Sequence, residues 1–181
     1  MRQLIEKVEL HDTLNPKIWE NDKLKSEVKD KLEEIIDQFI LELHDNDIPV
    51  KVLDARLVGS NASFNYTENS DMDVHLIVNT QEASCDTNVL TLLYNYFKSN
   101  FNDKYDISIH GIPVELYIED VGASAVSNGI YSIYDDEWIK YPEPVEVPDI
   151  DITDDFAVLE RRYNKIIEDN DAEEVEELLD E

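Results

Sequence analysis

Leu57-Val58-Gly59-Ser60, then ten residues, then Asp71-Met72-Asp73-Val74: the reading of this stretch decides the fold. An apolar run halted by Gly-Ser reads as a strand ending in a tight turn. The run from Asp71 to Val78 alternates, with Val74, Leu76 and Val78 on one face and Asp71, Asp73 and His75 on the other. Residues two apart on a strand share a face, so the two aspartates stand one pleat repeat apart. Like charges held that close repel unless a cation lies between them. The sequence thus places two acids rigidly at the end of a core strand.

A third acid has the same kind of setting: Glu115, between Val114 and Leu116 in the apolar run Ile112 to Ile118. Three carboxylates converging from neighbouring strands make a hard-oxygen site suited to Mg²⁺ or Mn²⁺. Two such ions about 3.5–4 Å apart can clamp the attacking and leaving oxygens of an in-line phosphoryl displacement. Glu119 and Asp120 rival Glu115 for this role, although they fall where the strand should be ending. At the Gly-Ser turn, Gly59 lets backbone approach a phosphate because no Cβ intervenes. Ser60 adds a hydroxyl, and Ser63, one turn on, adds a second if a helical turn starts at Asn61.

Outward from this centre the elements follow from periodicity. Val28, Leu32, Ile35, Ile36, Phe39 and Leu43 recur at helical spacing from Ser26, which is placed to cap the helix, and Asp45-Asn46-Asp47 with Pro49 ends it. Val50 to Val58 reads as a strand. A second helix is expected from about Thr87 to Phe101, carried by Val89, Leu92, Leu93, Tyr96 and Phe97. Strands are expected at Tyr105 to His110 and Ile112 to Ile118, joined tightly at Gly111, and again at Gly129 to Tyr134. Residues 1–25 read as an irregular N-terminal arm, 26–140 as the core, and 141–181 as an acidic linker with C-terminal helices packing on the core. Thr153 is expected to cap one of those helices and Asp171 to begin another. The expected class is α+β, a two-layer α/β arrangement with a mixed β-sheet and helices packed on one face.

Composition bounds the function. The chain has 181 residues, 42% of them hydrophobic, enough for a real core. Its 43 acids and 15 bases give a net charge of −28, which disfavours a bare nucleic-acid backbone as partner. Of that charge, −15 falls in residues 135–181, a run that reads as a solvated helical face. The four glycines, Gly59, Gly111, Gly122 and Gly129, are too scattered for a dinucleotide fingerprint or a P-loop. One cysteine, Cys85, in a polar loop, excludes a disulfide framework. No apolar run approaches a membrane span and no h-region opens the chain, so a cytoplasmic protein without membrane contact is expected.

The joint pattern resembles the nucleotidyltransferase superfamily related to DNA polymerase β. It stands here as Val58-Gly59-Ser60, Ser70-Asp71-Met72-Asp73-Val74 and Val114-Glu115-Leu116, with a helix before the first strand and another between the later ones. The resemblance covers residues 26–134. More loosely, Leu14-Asn15-Pro16 through Trp19 and Val58 to Val78 resemble small nucleotidyltransferases of bacteriophages, which would put the protein in a host cytoplasm. The resemblance implies a nucleotidyltransferase-like core that moves an NMP from an NTP to a hydroxyl acceptor and releases pyrophosphate. Asp71 and Asp73 would ligate two Mg²⁺ (or Mn²⁺) ions. Glu115 would ligate the catalytic one and help deprotonate the acceptor, and Gly59, Ser60 and Ser63 would hold the triphosphate. A small molecule or a protein is favoured as acceptor over a long nucleic acid. Where many members carry Arg or Lys after Gly-Ser, this chain has Asn61-Ala62-Ser63-Phe64, leaving Lys98, Lys104 and Lys140 as candidates to supply positive charge.

Other residues have plainer readings. His75 shares the aspartates' face, and a packed or hydrogen-bonded histidine is the expectation. Tyr131 is a candidate to stack on a base, but fits better as core or sheet surface. Trp19 and Trp138 read as anchors for irregular segments. The competing function is an acidic interaction protein, or nucleic-acid mimic, on a catalytically inactive nucleotidyltransferase scaffold.

Overall fold

A computed structural model describes residues 10–82, 86–123 and 126–144. The expected helices after Thr153 and Asp171, most of the acidic linker and the Cys85 loop lie outside the described residues. The described chain runs β1 (Trp19–Glu20), β2 (Lys23–Leu24), α1 (Ser26–Asp45), β3 (Val52–Val58), β4 (Met72–Val78), α2 (Thr87–Tyr105), β5 (Ser108–Ile109), β6 (Ile112–Asp120), β7 (Ile130–Ser132) and β8 (Glu137–Lys140). Six strands form one mixed sheet in the order β5-β6-β4-β3-β7-β8. This is an α+β fold with a mixed sheet. β3 and β4 pair antiparallel, whereas β4 and β6 pair parallel. A parallel pair cannot be joined by a hairpin, and α2 lies in the crossover between them.

The apolar stripe of α1 buries Val28, Leu32, Ile36, Phe39 and Leu43. Removing each of these side chains from water stabilises the fold by roughly 1.5–3 kcal/mol before entropy is counted. They share one core with Ala55 and Leu57 of β3, Met72, Val74, Leu76 and Val78 of β4, and Val114 and Leu116 of β6. Leu90, Tyr94 and Phe101 of α2 enter the same core, and Phe39 meets Phe101 edge to face at 5.1 Å. The helices therefore cover one face of the sheet. On the other face the register aligns Arg56 with His75 and Val58 with Asp73, and further aligns Asp73 with Glu115 and His75 with Tyr117.

Several expectations need correction. Ser26 is the first helical residue and caps nothing: the N-cap is Lys25, with no side-chain cap, and its ammonium bonds the Pro16 carbonyl oxygen at 2.7 Å. β2 runs almost directly into α1, so the single residue between them, Lys25, takes the cap position. The fully buried side of α2 is Leu90, Tyr94 and Phe101; of the expected residues Phe97 packs partly buried against the core and Leu93 is partly buried, while Val89, Leu92 and Tyr96 are more than half exposed. Apolar residues lie on two sides of this helix, so periodicity could not choose the face. α2 also runs to Tyr105, four residues past the expected end. The strand expected from Tyr105 is only Ser108–Ile109, because Asp106 ends the helix in a left-handed conformation (φ 40°). The strand expected over Gly129 to Tyr134 narrows to Ile130–Ser132, and β8, which pairs with it, has no counterpart in the sequence reading.

The arm is not wholly irregular. Trp19 pairs with Leu24 and Glu20 with Lys23 around Asn21 and Asp22, both at positive φ, a two-residue hairpin turn. Trp19 stacks on Trp138 at 4.7 Å and meets Tyr131 edge-on at 4.9 Å. Both tryptophans thus anchor their segments as expected. Tyr131 is fully buried and donates its hydroxyl to Asp136 at 2.7 Å, so it is core and offers no platform for a base.

Candidate functional site

β3 ends at Val58 and the chain turns through Gly59 into a single 3-10 turn, Ser60–Ala62. Gly59 has φ +73°, a conformation open to glycine and strained for other residues. A Cβ there would also overlap Oδ2 of Asp73. The turn is therefore pressed against the second aspartate. On its other side the Gly59 N–H donates to Ser127 Oγ at 3.3 Å, and a Cβ on Gly129 would strike the Ala62 carbonyl oxygen. Segment 127–129 thus backs the turn from behind.

Asp73 is half-buried, and its neighbours across the sheet are Val58 on one side and Glu115 on the other. Burial first, and then the negative charge of Asp71, push its carboxyl up to about 6; His75 pulls it down and Glu115 adds a further upward push. The charges of Asp71, Asp73 and Glu115 are therefore felt at one place. The Glu115 carboxylate accepts the Tyr117 hydroxyl at 2.7 Å. That bond, more than burial, holds the Tyr117 hydroxyl well above the ordinary phenol range. His75 packs its ring 5.1 Å from that of Tyr117 and bonds Glu119 Oε2 through Nδ1 at 2.7 Å. His75 is hydrogen-bonded, as its plainer reading had it. Asp120 turns away to accept from Thr80 and the Gly122 N–H, which leaves Glu115 as the acid facing Asp73.

The predicted phosphate-binding residues fare unequally. Ser60 sits beside the acids but gives its hydroxyl to Ser70 Oγ at 2.8 Å, closing the loop between them. Ser63 is buried, with its Oγ accepting from Asn128 Nδ2 at 2.9 Å, and it faces the 127–129 segment. Of the three lysines, Lys98 lies with its Nζ 4.6 Å from the Tyr117 ring centre, at the acid row. Lys140 bonds the Ser127 carbonyl oxygen at 2.8 Å, behind the turn. Lys104 pairs with Glu42 of α1 at 3.5 Å, among the helices.

Sequence reading passed over Asn61. It is fully buried, donates to the Asp71 carbonyl oxygen at 2.6 Å and accepts from Asn15 Nδ2 at 2.8 Å, while its own carbonyl oxygen accepts from Trp19 Nε1 at 2.7 Å. One amide thereby ties the arm, the turn and the first aspartate together. The signal was present as an Asn directly after Gly-Ser, but no periodicity marks its partners. Tyr117 was missed for a similar reason: its i, i+2 relation to Glu115 reads as ordinary strand alternation.

Among the described residues no group of three His, Cys, Asp and Glu side chains is arranged to hold a metal ion. Asp73 and Glu115 are partners across β4 and β6, and Asp71 lies just before β4, near enough for its charge to raise the Asp73 carboxyl. Their chemistry, all hard oxygen with mutual repulsion centred on Asp73, suits Mg²⁺ or Mn²⁺. Among the described residues no helix is long and apolar enough to cross a membrane. Comparison with protein-family models, with curated proteins and with solved structures finds no match to this chain.

Proposed function

We propose that the chain is a nucleotidyltransferase of the DNA polymerase β-like superfamily, moving an NMP from an NTP to a hydroxyl acceptor. The observation that carries this reading is the pairing of Asp73 with Glu115 across β4 and β6, with the Gly59 backbone pressed on the same aspartate. An apolar strand, a Gly-Ser turn, an Asp-x-Asp strand, a crossover helix and a strand bearing Glu follow in that order. Asp71, Asp73 and Glu115 would hold two Mg²⁺ or Mn²⁺ ions, which when bound supply charge neutralisation at the transferred phosphoryl group.

The chain's own residues then do the positioning. Gly59, lacking a Cβ, lets the Asp73 carboxylate lie directly against the turn, and Ser60 would turn its hydroxyl from Ser70 to a phosphate oxygen. Glu115, tethered by Tyr117, would accept the acceptor's proton. Lys98, at the Tyr117 ring, would bring positive charge that Asn61-Ala62-Ser63 does not. The net charge of −28 favours a small-molecule or protein acceptor. The same charge supports a second reading, an inactive scaffold that steers a basic partner electrostatically.

The test is incubation with each NTP labelled at the α-phosphate, with Mn²⁺ and host lysate. Transfer of label by the wild type, and none by Asp73→Asn, is the expected result. Equal labelling with both proteins contradicts the assignment.

A further inference from the structure

The geometry points to Tyr117 as the residue that positions Glu115, itself fixed between Lys98 of α2 and His75 of β4. This role rests on the nucleotidyltransferase reading and names a part of the site outside the Asp-x-Asp and Gly-Ser pattern. Glu115, Tyr117 and Glu119 occupy alternate positions of β6 and so share one face of the sheet. Tyr117 donates its hydroxyl to Glu115 Oε2 at 2.7 Å. A carboxylate on a strand otherwise swings about its side-chain torsions, and a fixed donor selects one orientation.

The tyrosine is held in turn. β6 is nearly an edge strand, since β5 covers only two residues. The Asn102 amide of α2 closes this edge, donating to the Leu116 carbonyl oxygen and accepting from the Leu116 N–H, both at 3.1 Å. That clamp fixes α2 along the edge. Lys98, one helical turn earlier, reaches the sheet's other face and sets its ammonium 4.6 Å from the Tyr117 ring centre. From β4, His75 packs against the same ring at 5.1 Å, and Glu119 fixes the imidazole through Nδ1. The chain of contacts Glu119–His75–Tyr117–Glu115 thus runs toward the aspartates, with Lys98 on the ring.

Tyr117→Phe keeps the ring and removes only the donor. Binding of Mn²⁺ alone, followed by the loss of its free electron paramagnetic resonance signal, separates positioning from packing. The expected result is a thermal midpoint like that of the wild type with Mn²⁺ affinity lowered about tenfold, the scale of loss seen when a ligand's outer partner is removed. Lys98→Gln removes a cation near the carboxylates and is expected to tighten Mn²⁺ binding, the opposite sign to Tyr117→Phe, which separates loss of charge from loss of the hydroxyl. Wild-type Mn²⁺ affinity in folded Tyr117→Phe, or in Tyr117→Leu should Tyr117→Phe not fold, overturns the positioning role while leaving the site assignment standing. Failure of the wild type itself to bind Mn²⁺, or undiminished binding by Asp71→Asn, overturns the site assignment and the positioning role together.

Discussion

Gly59 and Asp73 occupy each other's space: the aspartate's Oδ2 lies where a side chain at position 59 would begin. Gly59→Ala brings both a collision with Asp73 and a left-handed φ of +73° that alanine resists. The φ strain alone is on the order of 1–3 kcal/mol. The expected outcome is a folded protein of lowered denaturation midpoint whose Mn²⁺ affinity falls further than Gly129→Ala would produce by disturbing the turn from behind. Urea titration with parallel Mn²⁺ binding checks this, and unchanged binding in Gly59→Ala contradicts it.

Asn61→Ala tests the clamp between arm and site. It strips a partner from the Asp71 carbonyl oxygen and from Asn15 Nδ2, both at or near the buried core. Each polar group left unsatisfied costs about 1–3 kcal/mol. Chemical denaturation is expected to show a larger loss for Asn61→Ala than for Asn15→Ala, because the second leaves the Asp71 bond in place. Equal losses would place the whole effect in the arm.

The raised Asp73 carboxyl makes a pH prediction. Its folded value of about 6 lies above the ordinary 3.8, so the folded state takes up this proton at higher pH than the unfolded chain does. Ionised Asp73 therefore opposes folding above pH 6, and the penalty is relieved as pH falls from 6 toward 4. Asp73→Asn is expected to be more stable than the wild type at pH 7.5, with the gap shrinking by pH 5. Partial exposure of Asp73 screens the effect and keeps it modest. Mg²⁺ is expected to narrow the gap at pH 7.5 by favouring the ionised carboxylate. Thermal melts across pH check both signs, and a gap independent of pH contradicts the origin given for it.

The corrected face of α2 is tested by a contrast. Leu92→Ser, on the exposed side, is expected to change stability by no more than about 0.5 kcal/mol. Leu90→Ala, two residues away and fully buried, is expected to cost about 2–5 kcal/mol. Comparable losses at the two positions would restore the face first read from the sequence.

What could be read from the sequence divides along physical lines. α1 has one apolar stripe and one exposed face, so its period and its buried residues were readable from spacing, while its N-cap was not. β4 was readable because only its core side is uniformly apolar at Met72, Val74 and Leu76. α2 carries apolar residues on both sides, and only the sheet's position selects between them. β8 reads as Glu137-Trp138-Ile139-Lys140, mostly exposed, and becomes a strand through pairing with β7. In the site, the order of Gly59, Asp71, Asp73 and Glu115 was legible, because strand alternation fixes faces. The contacts that hold them are not periodic. Asn61 to Asn15 spans 46 residues and His75 to Glu119 spans 44, and nothing local in the sequence announces either pair.

The central claim is that side chains 71, 73 and 115 share divalent ions that carry a nucleotide. Isothermal titration of the wild type with each NTP in the presence of Mg²⁺, beside Asp71→Asn/Asp73→Asn, tests it most directly. The account predicts saturable binding of at least one NTP that requires Mg²⁺ and disappears in the folded double variant. Binding of no NTP by the wild type, or equal binding by the variant, contradicts it.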